Sequence, residues 1–559
     1  MSGVHSCTNK HCENRTLPES RPLTEQTSEG ADAGSGARGS RSMLSSVVTV
    51  SGVNMVGMGV GLVQNMAIAA VIGATAQKDA YDIAAKVPHI MLYMFGLDLL
   101  RGISVSLFSR LDVSRSEDPS VVFSTLVNAL LLVSVAAMIL AEVFARPLVA
   151  MVGPGMSPAT MDLSVRLARV LVPAVGLIAM TSLMGSVLLA HHYYGLTEAL
   201  ACLPRLFILV GVVTIGHRWG VWVLAFAMIL GLAAQLPVMI FFLRQCGLHY
   251  RLVLHIKSAA FRSAVYDAIP LGLGTIAVIL TEILLQRTVS RGAEGTIACY
   301  NYALLLSAAI IVLIGRPVAA SLAPRVTRNL EAGDYASSQA MLGKALGFSL
   351  LVCLTGLAVI WAQGTLVVDL FFGRGRFTTE AIEQTSRFIG IMFPAALGFG
   401  VRMTAIGVLL ARRRVKTVMV YCFITGAIRA AVVWGGWHLW GVYAAAYAYT
   451  FGHLVDGFLG MSSALAIVGW RPEHVPWRRA LRWLAGAAVV FVLPNLAHLL
   501  GSVDYEAPLS AKVIRLGLTV VLAAVGFVAA AFLAGFGSTI GSLLSAFSGR
   551  WRRRKAQKE

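Results

Sequence analysis

Long apolar stretches recur along almost the whole chain, and short polar connections separate them. Between Leu44 and about Gly537 there are fourteen such stretches, each close to the roughly 20 residues that an α-helix needs to cross a bilayer core. Their centres lie near residues 60, 95, 132, 178, 206, 232, 277, 310, 350, 396, 426, 452, 490 and 525. The pattern therefore predicts an all-α polytopic membrane protein with about fourteen transmembrane helices.

Composition excludes a soluble protein. The chain has 559 residues, of which 57% are hydrophobic and only 13% are charged, and its mean hydropathy is +0.74. Soluble domains of this composition would leave too much apolar surface in contact with water. The apolar stretches are therefore expected to lie in a membrane.

The distribution of Lys and Arg predicts the orientation, because these residues are retained in the cytoplasmic loops. If the N-terminus is cytoplasmic, the inward connections carry 22 Lys and Arg and the outward connections carry 7. Both termini are thus predicted to be cytoplasmic, and the net charge of +19 mostly reflects topology. The basic residues are spread over separate loops, which disfavours nucleic acid as a partner. The inward connections are 108–118, 191–194, 244–262, 325–334, 412–416, 470–482 and 550–559; the outward ones are 73–79, 146–162, 217–219, 290–297, 373–380, 436–440 and 501–512.

An internal repeat predicts two lobes. The stretch AYDIAAKVPHIMLYMF resembles CYNYALLLSAAIIVLIGRP, with Tyr81 and Tyr300 in equivalent places. The offset of about 219 residues corresponds to six spans, so both copies face the same way, as in transporters whose halves are related by an axis along the membrane normal. The predicted units are a disordered cytoplasmic tail (1–42), a first lobe (43–245), a second lobe (258–468), two appended spans (478–545) and a basic cytoplasmic tail (546–559).

The tail before the first span contains little that predicts function. Met43 stands directly before the first apolar stretch and is an alternative start. The segment HSCTNKHC has His and Cys at spacings that a metal could use, but its polar surroundings favour a disordered tail. No metal or cofactor is expected.

Charged residues cluster where the second span begins, within QKDAYDIAAKVPH. Asp79, Asp82 and Lys86 fall at i, i+3 and i+7, close to one helical stripe, and Asp82 and Lys86 are spaced as an i,i+4 ion pair. Pro88 is predicted to kink or interrupt the helix. Asp98 and Arg101 follow deeper in the span.

A charge that faces lipid near the bilayer centre costs about 2.5 to 3.5 kcal/mol, so these groups are expected to face protein or a water-filled cavity. Lys86 and Arg101 are interpreted as lining a cavity; the alternatives are neutralised pairs and side chains that reach the interface. In the second lobe Glu282 lies mid-span, with Arg287 five residues further on and Arg429 in span 11. Glu282 is read either as a cation or proton site or as the partner of one of these two arginines.

The sequence contains no enzyme motif. It lacks a GxxxxGK[ST] loop for ATP, so a transporter built on this chain would draw on an ion gradient, the membrane potential or the cargo gradient. The predicted outward loops are too short for a catalytic domain. We therefore expect a transporter rather than an enzyme.

Several motifs resemble one family of membrane transporters. VIGATAQKDAYDIAAKVPH, residues 71–89, is similar to the start of the MurJ (MviN) lipid II flippases of the multidrug/oligosaccharidyl-lipid/polysaccharide (MOP) exporter superfamily. The resemblance covers roughly residues 44–470 and is most specific at LFFGRGRFTTEAIEQT and ARRRVKTVM. The matching residues are Gly73, Ala74, Asp79, Ala80, Lys86 and Pro88, followed by the stretches AHHYYGLTEALACLP, ACYNYA and SLAPRVTRNLEAGD.

The resemblance implies export of lipid II, or of a related polyprenyl-diphosphate-linked sugar, for cell-wall synthesis at the bacterial inner membrane. It further implies a cationic cavity for the diphosphate, a groove beside the two appended spans for the lipid tail, and cell-wall synthesis proteins as possible partners. The arginines that the family places in this cavity are replaced by Met58, Gln64, Leu92 and Leu305. The implied substrate-binding charges are then Lys86, Arg101, Arg287 and Arg402, with Asp79, Asp82 and Asp98 beside them.

Two other functions remain open at this point. One is export of another lipid-linked oligosaccharide for exopolysaccharide or glycoconjugate synthesis. The other is a degenerate transporter that acts as a membrane scaffold, because the family's cavity arginines are missing.

Overall fold

The computed structural model describes residues 52, 55–94, 108, 118–255, 257, 259–412, 414–469, 477–496 and 508–535. Within these ranges every regular element is a helix and none is a strand. The predicted all-α class is confirmed. The two predicted tails, 1–42 and 546–559, lie outside the described residues.

Among the described residues, ten helices fall in the predicted first lobe. Nine helices and one 3-10 turn follow in the predicted second lobe and the appended spans. The first ten are α1 Met55–Val71, α2 Ala76–Ala84, α3 Lys86–Met94, α4 Pro119–Val143, α5 Ala145–Val152, α6 Pro158–Leu171, α7 Ala174–Ala190, α8 Tyr194–Leu200, α9 Leu203–Trp219 and α10 Trp222–Gln245. The others are α11 Ala259–Val289, α12 Thr296–Glu331, α13 Tyr335–Phe372, α14 Thr379–Met392, α15 Ala395–Ala411, α16 Val415–Trp440, the 3-10 turn Gly441–Tyr443, α17 Ala444–Val468, α18 Trp477–Asn495 and α19 Leu509–Leu533.

Six of the described helices are long and apolar enough to cross a membrane, by length and composition. The number rises to eight if each of two bent pairs, α6 with α7 and α14 with α15, forms one span; both pairs bend by 43°. The structure thus has multiple membrane-spanning helices, whereas the count of fourteen stays a prediction.

The helices bury small and apolar residues against one another and expose large apolar residues outward. Leu132, Ile139 and Val143 of α4 are 65%, 59% and 68% exposed. In contrast, Ala137 and Ala141 of the same helix are fully buried. This arrangement suits a lipid environment, where the apolar exterior needs no cover and small residues let helices approach closely.

The appended helices α18 and α19 pack on each other and on α13. At this junction the Lys512 ammonium of α19 lies 2.6 Å from the Asp369 carboxylate of α13. Both side chains are nearly buried, at 12% and 8% exposure. The ion pair therefore joins the appended helices to the second lobe.

Breaking this pair is expected to destabilise the protein. Lys512→Met leaves the Asp369 carboxylate buried without its cation, a change that typically costs about 3 to 5 kcal/mol. The double variant Asp369→Leu/Lys512→Met removes both charges and should recover most of that loss. The midpoint of thermal unfolding in detergent measures both effects.

The Arg146–Asp162 pair provides the matched control. Its side chains are 70% and 58% exposed, so Asp162→Ala should change stability by no more than about 1 kcal/mol. A Lys512→Met variant as stable as the Asp162→Ala control would show that the buried pair does not hold the appended helices in place.

Candidate functional site

A helix break shapes the region around QKDAYDIAAKVPH. Helix α2 begins after Thr75, whose hydroxyl accepts the Lys78 N–H at 3.4 Å, and it ends at Ala84. A new helix, α3, begins at Lys86 and holds Pro88 in its first turn, where a missing N–H is tolerated. The prediction that Pro88 interrupts this span is confirmed.

The break changes the predicted pairing of charges. Asp82 forms an ion pair with Lys78, at i,i+4 within α2, and not with Lys86. The predicted Asp82–Lys86 pair is wrong, because the two residues lie on different helices and no longer share one helical stripe. Lys78 is 5% exposed and also lies 5.2 Å from the centre of the Tyr302 ring of the second lobe.

Lys86 instead pairs with Glu282 of α11, 196 residues away. This ion pair crosses from the first lobe to the second. Glu282 therefore contacts neither of the arginines predicted for it, and that prediction is corrected. The side chains of Lys86 and Glu282 are 25% and 48% exposed, so water screens the pair and both groups can be reached from the cavity.

The pair lies in a cavity between the lobes. The cavity holds about 270 Å³, counting its open mouth. Its lining consists of Lys86, His89, Ile90, Tyr93, Val152, Ile279, Glu282, Ile283 and Gln286.

His89 and Gln286 are among the lining residues that the sequence pattern did not single out. His89 lies one turn beyond Lys86 on α3, and its Nδ1 is 3.1 Å from the Ala85 carbonyl oxygen. Gln286 lies one turn beyond Glu282 on α11, and its amide donates to the Asn301 Oδ1 at 2.9 Å. Each is spaced three or four residues from a charge already singled out, and that spacing is the signal that would have found them.

The other predicted cations of the second lobe have partners of their own or lie away from the cavity. Arg402 of α15 donates from Nε to the Asp456 carboxylate of α17 at 2.8 Å. Arg287 donates to the Met151 carbonyl oxygen at 3.4 Å. The Arg429 guanidinium packs against Gly452 of α17, and its Nε is enclosed without a hydrogen bond. None of the three lines the described cavity.

Asp79 joins the two lobes at one end of the bundle. Its carboxylate accepts the backbone N–H of Gly295 at 2.6 Å and that of Ala298 at 2.7 Å. These groups begin α12, whose first N–H groups have no partner within the helix. Asp79 is 3% exposed and thus acts as a buried cap that the first lobe provides for a helix of the second.

Further contacts lie at the same end of the bundle. Together with the two Asp79 hydrogen bonds they form what we call the cross-lobe seal. The Arg376 N–H donates to the Ala70 carbonyl oxygen at 2.9 Å, and the Ser157 hydroxyl donates to Glu294 at 3.1 Å. Gly375 has φ of +65°, and a Cβ there would collide with the Ala70 carbonyl. Gly295 has φ of +88°, and a Cβ there would collide with the Ala74 carbonyl. Only glycine satisfies both conditions at these two positions.

Two predicted site residues, Asp98 and Arg101, lie outside the described residues. Among the residues that the structure describes, no group of three or more His, Cys, Asp or Glu side chains is arranged to hold a metal ion.

Comparison with known proteins identifies the family. The family model described as Lipid II flippase MurJ matches residues 68–493, well over half of the chain. The chain belongs to the MurJ family. A Rhizobium tropici protein named "Probable lipid II flippase MurJ" is 22% identical over 521 residues, which cover 88% of this chain and 95% of that protein. A Rhizobium meliloti protein of the same name is 22% identical over 408 residues, covering 70% of this chain and 75% of that one.

Solved structures show that this MurJ family member has the MOP fold. A structure titled "Lipid II flippase MurJ, inward closed conformation" superposes with a TM-score of 0.72 at 16% identity, covering 86% of this chain and 98% of that one. An inward-facing multidrug resistance MATE family transporter of the MOP superfamily gives a TM-score of 0.61 at 14% identity, covering 75% and 98%. Family and fold together make the chain a multi-pass membrane protein.

Proposed function

We propose that this MurJ family member exports lipid II, or a closely related polyprenyl-diphosphate-linked sugar, across the bacterial inner membrane for cell-wall synthesis. Transport would proceed by alternating access without a chemical step. The observation that carries the proposal is the Lys86–Glu282 ion pair in the cavity between the lobes. The relatives are named as lipid II flippases, so a different lipid-linked oligosaccharide or a scaffold role is not favoured.

Lys86 would bind the diphosphate of the cargo. A diphosphate cannot enter a membrane protein unless its charge is met, and a charge-assisted hydrogen bond to an ammonium is worth roughly 1.5 to 3 kcal/mol. Lys86 is the only lysine or arginine among the residues that line the described cavity. The Met58, Gln64, Leu92 and Leu305 side chains that replace the family's arginines leave this role to Lys86, with Arg101 as a second candidate.

Glu282 would keep the empty cavity neutral. In the absence of cargo its carboxylate pairs with Lys86 across the two lobes. An incoming phosphate competes with Glu282 for the same ammonium, so cargo binding would release the contact between the lobes. Because cargo replaces this contact between the lobes, cargo binding shifts the equilibrium between the conformations of the protein.

The cross-lobe seal supports an inward-facing assignment of this structure. The seal lies on the connections that carry few Lys and Arg, which the positive-inside rule places outside.

With both termini cytoplasmic, a cysteine at Ser502 should react with a membrane-impermeant reagent applied to whole cells, and one at Gln557 only after the membrane is opened. Reversed labelling would contradict this orientation.

The membrane potential is the proposed driving force. Exporting an anion from a negative interior is favourable by about 2.3 kcal/mol per charge at 100 mV. The carboxylates of Glu282 and Asp456 are both paired with cations, which disfavours a bound coupling cation there. We expect export to continue when potassium replaces sodium and to stop when the potential is collapsed. Loss of export on sodium removal alone would instead favour a cation site.

Genetic rescue tests the proposed function. Expression of this chain should restore growth and shape to bacteria that have been depleted of their own lipid II flippase. Failure of a stably expressed, membrane-inserted chain to rescue would contradict lipid II as the cargo.

A further inference from the structure

Arg515 of α19 is buried without a partner. It is 8% exposed, and its Nε has no contact with solvent and no hydrogen bond. Its guanidinium makes no hydrogen bond or ion pair within the part of the chain that the structure describes; only its backbone carbonyl is used, by the Thr519 hydroxyl. Buried charges are normally paired, because an uncompensated one costs several kcal/mol.

The surroundings of Arg515 add further positive charge. Lys512, which pairs with Asp369 of α13, lies one turn earlier on α19 and places a second cation near Arg515. Both cations also lie in the first two turns of α19, where the helix dipole is positive. The arrangement therefore favours an additional anion beside Arg515.

We propose that Arg515, with Lys512 beside it, forms a binding site for the phosphate group of a membrane lipid headgroup. Arg515 is the seventh residue of α19, so it lies roughly 10 Å along the helix, within reach of the headgroup layer for an extended arginine side chain. A guanidinium binds phosphate through two parallel N–H donors, which suits this headgroup.

The site lies close to the cross-lobe seal. Asp369, which pairs with Lys512, is four residues before Gly373, and the following Gly375 and Arg376 contact Ala70 of the first lobe. The phosphate has two possible sources, an anionic phospholipid of the bilayer or a polyprenyl diphosphate. Both supply the same chemical group, and the site does not depend on whether the protein flips lipid II.

Thermal unfolding of the purified, delipidated full chain tests the proposal. The probes are dioleoylphosphatidylglycerol, undecaprenyl diphosphate and, as a phosphate-free control, dioleoylglycerol. We expect at least one phosphate lipid to raise the unfolding midpoint and dioleoylglycerol to have no effect. Stabilisation by undecaprenyl diphosphate alone would identify the polyprenyl lipid as the source, and stabilisation by both would identify the shared phosphate.

Variants distinguish a binding role from a structural one. Arg515→Gln should weaken the apparent affinity for the stabilising lipid roughly ten- to hundred-fold. Arg515→Lys should keep part of the affinity, and Arg482→Gln, which removes an exposed arginine of α18, should keep all of it. Without lipid, Arg515→Leu should unfold at the same midpoint as the parent protein or higher, because no partner is lost.

Two results would overturn the proposal. One is an equal response of the parent protein to dioleoylglycerol and to both phosphate lipids. The other is an unchanged lipid response in Arg515→Gln. If lipid-free Arg515→Leu also unfolds at a lower midpoint than the parent protein, the arginine serves packing instead. Export of lipid II is measured separately, so its loss or persistence does not decide this question.

Discussion

Replacing Lys86 by glutamine is expected to abolish export while leaving the protein folded. Lys86 provides the only lysine or arginine charge among the residues lining the described cavity, so its removal should weaken cargo binding by roughly ten- to hundred-fold. The Lys86–Glu282 pair is partly exposed, and such pairs contribute about 0 to 1 kcal/mol to stability. Membrane levels of Lys86→Gln should therefore match the parent protein, and growth rescue with quantified expression measures both.

Two further variants sharpen this test. Lys416→Gln removes an exposed lysine at the start of α16 and should leave export unchanged. Glu282→Gln removes the competitor of the phosphate, so it should bind cargo at least as tightly as the parent protein. If Lys86→Gln supported growth as well as Lys416→Gln does, Lys86 would not be the residue that binds the diphosphate.

Replacing Asp79 by alanine is expected to open the cross-lobe seal. The variant removes the acceptor of two short hydrogen bonds to the N–H groups of Gly295 and Ala298. Each charge-assisted bond is worth roughly 1.5 to 3 kcal/mol, so the ratio of sealed to open molecules should fall by a factor of about 100 or more. Asp79 was predicted to bind substrate, and the structure instead places its carboxylate on the start of α12.

Cys299 reports this opening directly. It is 1% exposed, on α12 beside the seal, and can be kept as the single cysteine of the chain. A membrane-impermeant maleimide should label it slowly in the parent protein and much faster in Asp79→Ala. Asp162→Ala, which removes an exposed carboxylate, should label slowly. Equal labelling rates in Asp79→Ala and Asp162→Ala would show that Asp79 does not hold the seal closed.

The sequence predicted those features of the fold that depend on a local pattern of residues. Apolar length predicted membrane helices, and Pro88 predicted the break between α2 and α3, because both effects act within one turn or one span. It also marked Lys86 and Glu282 as groups that must face protein or a cavity. The family resemblance is confirmed by the match over residues 68–493.

Partner choice could not be predicted, because it depends on how distant helices pack. Lys86 and Glu282 are 196 residues apart, and the helix break turned Asp82 towards Lys78. The Asp369–Lys512 pair also joins helices that are remote in sequence. An isolated acid or base inside an apolar stretch indicates that a partner exists, while only the fold shows which one it is.

Transport of lipid II by the purified protein tests the central claim most directly. The measurement uses proteoliposomes that carry fluorescent lipid II, with a membrane potential imposed and the label in each leaflet quantified by an impermeant quencher. We expect the parent protein to move lipid II between leaflets and Lys86→Gln to stay at the rate of protein-free vesicles. No movement by the folded parent protein, or equal movement by Lys86→Gln, would contradict the account.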